Sequence, residues 1–211
     1  MSAIQEAPPT VLTPDTASSS PAGMPYLITA DVFRKMLEAE VFADEDRVEL
    51  WDGRIYEKMA KTQAHAVTGI NVTMTLVRAL PPGWCLSGEN PIALGEKSTP
   101  LPDFAVLRGA GGDYLARRPN PADTGLIIEL SLSSPKYDMG VKLAKHAEAS
   151  IPAYWVLDLS ENVVQVFERP IPTERRYESS QVFAVGQSVP LRLDGVLVAE
   201  IPAKDLLPVR G

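Results

Sequence analysis

The 211-residue sequence has a single cysteine, Cys85, and two histidines, His65 and His146. One thiol excludes an intrachain disulfide framework and any zinc site built from several cysteines. No apolar run approaches the roughly 18 residues needed to span a bilayer, and the start of the chain lacks the basic-then-apolar order of a signal peptide. The expectation is a cytoplasmic protein without membrane association. Positive charge is also short: 20 Lys and Arg against 27 Asp and Glu leave a net charge of -7. This balance argues against coating of nucleic acid by bulk electrostatics and leaves room for a local basic groove. There is no Gly-x-Ser-x-Gly elbow, so Ser131, Ser133 and Ser134 do not read as hydrolase nucleophiles. Gly109-Ala-Gly-Gly112 has no following lysine to complete a phosphate cradle.

With 45% hydrophobic residues, the chain can bury a core of ordinary size. Residues 1–25 are rich in proline, serine and threonine without apolar periodicity, which predicts a flexible tail. Residues 26–208 read as one mixed α+β domain. Thr29 is placed to cap a helix through Val32, Phe33, Met36 and Leu37 that stops near Glu40. Asp52-Gly53 between two strand-like runs is a hairpin signal that puts Glu49 on the first strand. Val67, Ile70, Met74, Val77 and Leu80 recur at helical spacing and predict an amphipathic helix from Gln63 to Leu80, ended by Pro81-Pro82-Gly83. Strands are expected at 84–86, 90–94, 103–107, 126–130, 153–158 and 163–167, with edge strands at 177–185 and 195–201. Residues 139–150 read as a helix.

Chemistry points to carboxylates set among apolar residues. Glu129 interrupts Leu126-Ile-Ile-Glu-Leu, where it must be paired, protonated or bound to a cation. Asp103 opens Asp-Phe-Ala-Val-Leu directly after a proline. Two such acids at the ends of neighbouring strands can share one hard cation, because Mg²⁺ takes oxygen ligands and typically one or two carboxylates plus water. The alternatives are a strand-end Asp capping a loop and a Glu salt-bridged to one lysine. His65 could orient a carboxylate or touch phosphate, but a cap or packing role suits it better, and His146, one turn from Lys142 on the same face, reads as a solvent-facing helix residue in preference to one bordering the site.

Glu49 in Val-Glu-Leu-Trp-Asp-Gly, His65, Pro102-Asp103, Glu129-Leu-Ser-Leu-Ser-Ser134, Tyr137-Asp138 with Lys142, and Ile151-Pro-Ala-Tyr-Trp-Val-Leu-Asp158 occur in one order. Over residues 27 to 190 this order resembles the Uma-type family of restriction-endonuclease-like proteins within the PD-(D/E)XK nuclease superfamily. The resemblance implies a mixed sheet flanked by helices, with Asp103 and Glu129 as metal-binding acids and Glu49 as a third acid. The superfamily usually has a lysine two residues after the second acid. Ser131 stands there in this chain, and Lys142 is where a migrated lysine would lie. Ala153, where relatives more often carry Glu, is a second departure, and His146, where they tend to carry an aromatic residue, is a third.

Under that resemblance the chain is an endonuclease that hydrolyses DNA phosphodiester bonds with Mg²⁺ or Mn²⁺, acting as a homodimer if it cuts both strands. Glu49, Asp103, Glu129 and Lys142 are expected to converge in one cleft, with Glu49 near its rim. Lys142 would hold or deprotonate the attacking water, its pKa pulled down beside the metal, and would balance phosphate charge. A salt bridge to Glu129 or Asp138 is its structural alternative. Competing functions are a catalytically inactive nuclease fold serving nucleic-acid binding or assembly, and a metal-dependent hydrolase of small phosphoesters.

Overall fold

The structure, a computed structural model, describes residues 24–43, 47–58, 60–132 and 138–208. Residues 1–23 of the expected tail, and Ser133, Ser134 and Tyr137, lie outside the described residues. Helix α1 (Ala30–Glu38) begins at Thr29, whose hydroxyl accepts from the Val32 N–H, and it buries Phe33. Strands β1 (Val48–Trp51) and β2 (Arg54–Glu57) form a separate antiparallel hairpin. Its turn puts Asp52 and Gly53 at positive φ, as a two-residue hairpin loop demands.

Helix α2 (Gln63–Ala79) follows, capped by Thr62. Its inward residues are Thr68, Val72 and Leu76, while Val67, Ile70, Met74 and Val77 lie on the outside. The helix is thus where the spacing puts it, but the expected face is reversed. Apolar residues surround most of its circumference, so their recurrence marks a helix without marking the side that packs.

The central sheet has six strands in the order β3-β4-β5-β6-β7-β8: β3 (Trp84–Gly88), β4 (Phe104–Arg108), β5 (Thr124–Ser131), β6 (Ala153–Asp158), β7 (Val163–Ile171) and β8 (Arg176–Ala184). Only the β5–β6 pair is parallel. Its crossover includes a π-helical turn, Asp138–Lys142, and helix α3 (Leu143–Glu148), where one continuous helix was expected. β5 and β6 are buried along their whole length, as apolar layers on both faces require. One layer joins Leu126, Ile128, Trp155 and Leu157 to α2 and the C-terminal hairpin. The other joins Ile127, Tyr154 and Val156 to Ala147 and Ile151.

Two strand expectations are corrected. Residues 90–94 form no strand: the N–H groups of Ile92, Ala93 and Leu94 donate to Pro100, Pro119 and Ser98 respectively, three partners that make no ladder. The segment 195–201 is not a sheet edge. It forms β10 (Val196–Pro202), which pairs with β9 (Ser188–Leu193) in a separate hairpin that packs Leu191, Leu193 and Ile201 beside α2. No described helix is long and apolar enough to cross a membrane.

Candidate functional site

The sheet register brings the two central acids together. Phe104 pairs with Ile128 and Ala105 with Ile127 across β4 and β5, so one further step sets Asp103 opposite Glu129. Glu129 shares its face with Ile127, on the side of the sheet covered by α3. The Leu130 N–H donates to Asp103 Oδ2 at 2.8 Å, which fixes that carboxylate at the strand end.

Both acids meet the same cation, and it comes from the N-terminal hairpin. Lys58 Nζ lies 2.9 Å from Asp103 Oδ1, 3.3 Å from Glu129 Oε2 and 2.7 Å from the Leu101 carbonyl. Its backbone N–H donates to the Arg47 carbonyl, which continues the pairing of β1 with β2 and aims the side chain inward. Burial works against this ammonium, yet Glu129 and Asp103 hold its pKa above the ordinary lysine value.

Glu129 uses its other oxygen for a second lysine. Lys142 Nζ stands 3.1 Å from Glu129 Oε1 and 3.6 Å from both Glu49 Oε1 and Asp138 Oδ1. Burial again opposes the charge, and Glu129, Glu49 and Asp138 overcome it, raising the Lys142 pKa well above normal. Three carboxylates surround the group and raise it, whereas the lowering expected above belongs to a neighbouring metal ion. In this ion-paired state Lys142 is an ammonium and no base. Burial likewise opposes ionisation of Glu129, but Lys142 and Lys58 prevail and hold its pKa below the usual carboxylate value.

Glu49, Asp103, Glu129 and Lys142 therefore converge, in a buried network rather than an open cleft. Glu49 is interior, not at a rim: it is 3% exposed, and its Oε2 accepts from the Leu101 N–H at 3.3 Å. The loop at Leu101 is gripped from both ends, its N–H by Glu49 and its carbonyl by Lys58. Four carboxylates, counting Asp138, face two ammonium groups here, a formal excess of two negative charges. Arg47 reaches Asp103 at 3.4 Å and offsets part of that excess.

Of these acids, Asp103 opens onto solvent-accessible space. It lines a cleft of about 440 Å³ between α2 and the strand ends, with Lys61, His65, Glu89, Phe104 and Leu130. Glu89 ties Arg47 and Lys61 together at its mouth. His65 is fixed at the start of α2, Nδ1 against the Thr62 hydroxyl at 2.9 Å and Nε2 against the Leu130 carbonyl at 3.1 Å.

Sequence reasoning missed Lys58 and misplaced His146. After Glu57, another charged residue following an exposed strand looks like solvated surface, and no local pattern marks it. His146 is fully buried between Trp51 and Tyr154, ring centroids 5.6 and 4.9 Å away. A signal for this existed: a residue one turn after an inward Lys142 on the same helical face must also point inward.

The pair fits a hard divalent cation by donor chemistry. Asp103 and Glu129 already bracket one cation position, and Mg²⁺ commonly takes two carboxylates and completes its shell with water. Among the described residues no three His, Cys, Asp or Glu side chains surround a single point, so water or backbone oxygen would supply the remainder. Ser131, two residues beyond Glu129, is buried but brings only a hydroxyl, so the ammonium groups arrive from the hairpin and the π-turn instead.

Residues 31–199 match a family model, Uma2, whose description is "Putative restriction endonuclease". A crystal structure described as a putative nuclease belonging to DUF820 from Anabaena variabilis is similar in fold. It has a TM-score of 0.64 at 19% identity, covering 85% of this chain and 97% of that one. No curated protein matches the chain.

Proposed function

This chain belongs to the Uma2 family, and from that premise we propose that it is a metal-dependent endonuclease hydrolysing DNA phosphodiester bonds. The observation that carries the reading is the Asp103–Glu129 pair closing on one cation position beside a cleft. Asp103 Oδ1 and Glu129 Oε2 would hold Mg²⁺ or Mn²⁺. Such an ion supplies a more acidic water and relief of phosphate charge when bound.

The chain's own groups do the rest. Lys142, kept as an ammonium, holds Glu129 Oε1 and so leaves Oε2 directed at the cation position. Glu49 and Asp138 hold Lys142 in turn, which makes Glu49 a positioning residue. Lys61 in the cleft and Arg47 beside it, both tied to Glu89, bring local basic groups to Asp103 in a chain of net charge -7. Contact with DNA is therefore local to this cleft, and a homodimer would present one site to each strand.

The test is cleavage of supercoiled plasmid with Mg²⁺ or Mn²⁺ against EDTA, for wild type, Asp103→Asn and Glu129→Gln. Cleavage only with metal, lost in both variants, is expected, since the amides keep shape but lose the charge that holds the ion. Full cleavage by Asp103→Asn would overturn the mechanism. A second reading, an inactive nuclease fold serving nucleic-acid binding or assembly, is favoured by one observation: Lys58 already occupies the cation position between the two acids. DNA binding by the wild type without cleavage in Mn²⁺ would establish it.

A further inference from the structure

We propose that Lys58 is the resident cation of the Asp103–Glu129 pair and that a divalent ion binds by displacing it. This rests on the reading that the pair holds a metal. A lysine ammonium has three N–H donors, and here three oxygens receive them: the Leu101 carbonyl, Asp103 Oδ1 and Glu129 Oε2. The nitrogen thus has its donors spent on one side, in the manner of an ion held by an oxygen half-shell.

Two cations cannot use this half-shell together. A hard divalent ion needs its oxygens at about 2.0 to 2.1 Å, whereas the ammonium sits at 2.9 and 3.3 Å from the same two atoms. Closing the carboxylates on a metal would put the ammonium in direct repulsion with it, at a site where screening is weak. Lys58 is also the lysine able to leave. It follows the last residue of β2, and its four-carbon stem is flexible, whereas Lys142 lies among three carboxylates within a helical turn. Lys142 contacts Glu129 through Oε1, so it can stay in place while Oε2 exchanges one cation for another.

The consequence is a metal affinity set by competition with the chain itself. Without metal, Lys58 keeps the two carboxylates apart from each other's charge and holds the hairpin against the sheet end. With metal, its side chain is released from the pair.

Calorimetric titration of the full chain with MnCl₂ tests this, comparing wild type, Lys58→Met and Lys58→Arg. Methionine keeps the stem length and removes the charge, so Lys58→Met is expected to bind Mn²⁺ at least about tenfold more tightly than wild type. Lys58→Arg, which keeps a cation, is expected to bind no more tightly than wild type. Thermal melts in EDTA and in Mn²⁺ cover the case in which Lys58→Met is poorly folded, because removal of the ammonium leaves two acids unpaired. Rescue of that variant by Mn²⁺ supports displacement, and absence of rescue overturns it. Equal or weaker Mn²⁺ binding by Lys58→Met than by wild type would defeat the competition while leaving the metal reading intact. Absence of Mn²⁺ binding by both proteins would defeat both.

Discussion

His146 makes the fold sensitive to mild acid, and the size of the effect follows from its surroundings. The ring is fully buried between Trp51 and Tyr154, and neither ring nitrogen has a hydrogen-bond partner among the described residues. Burial first, then Lys142 and Lys58, push its pKa from 6.5 down to about 3. Between those two values the unfolded chain carries a proton that the folded chain refuses. Stability contributed by the neutral ring is therefore complete above about pH 6.5 and is lost as pH falls, at about 1.4 kcal/mol per pH unit. By pH 5 the loss is about 2 kcal/mol, or a fall of roughly 4 to 8 °C in Tm for a domain of this size. His146→Phe keeps an aromatic ring and removes the titration. It also removes two buried nitrogens without partners, while its larger ring costs something in packing. Its stability at pH 8 is therefore close to wild type, and the informative quantity is the slope. Urea denaturation of both proteins at pH 8, 7, 6 and 5 should show the variant gaining about 2 kcal/mol on wild type across the series. Stopping at pH 5 keeps most carboxylate titrations out of the comparison. Parallel pH profiles for the two proteins would refute the argument.

Lys142→Met strips Glu129, Glu49 and Asp138 of their shared ammonium. A loss of about 3 to 5 kcal/mol in urea denaturation near neutral pH is expected, the cost of breaking a buried ion pair on one side. Glu129 gives the opposite sign to a group raised by burial alone: its folded pKa is depressed, so its contribution is present above the unfolded value and is lost as pH falls through the folded one. Acid denaturation of wild type should therefore be steeper below pH 4.5 than that of Glu129→Gln. Gly125 in β5 has no room for a side chain, since a Cβ there would meet Trp84 Cζ3 at 2.5 Å and Leu193 Cδ2 at 2.9 Å. Gly125→Ala should cost about 1 to 3 kcal/mol in the same assay, with metal affinity unchanged.

The elements legible in the sequence are those with a local cause. Thr29 caps α1 by its own hydroxyl, Asp52-Gly53 turns the hairpin by its own backbone preference, and β5 is apolar because both its faces are covered. What was not legible depends on distant partners. Residues 90–94 have strand-like side chains, but their N–H groups are taken by Pro100, Ser98 and Pro119, which only the folded chain brings near. The strand 196–202 finds β9 instead of the sheet edge because that hairpin covers α2 and the sheet with apolar residues. At the site, Asp103 and Glu129 stand out as acids in apolar strands. Lys58 does not, since the reason for its burial is two carboxylates 45 and 71 residues away.

The most direct measurement is an anomalous-scattering map from crystals of the full chain grown with Mn²⁺. The expected result is a single peak between Asp103 Oδ1 and Glu129 Oε2, at about 2.1 Å from each, with Lys58 Nζ withdrawn from both. Density that leaves the two carboxylates on Lys58 and places Mn²⁺ elsewhere would contradict the assignment of this pair as the metal-binding acids.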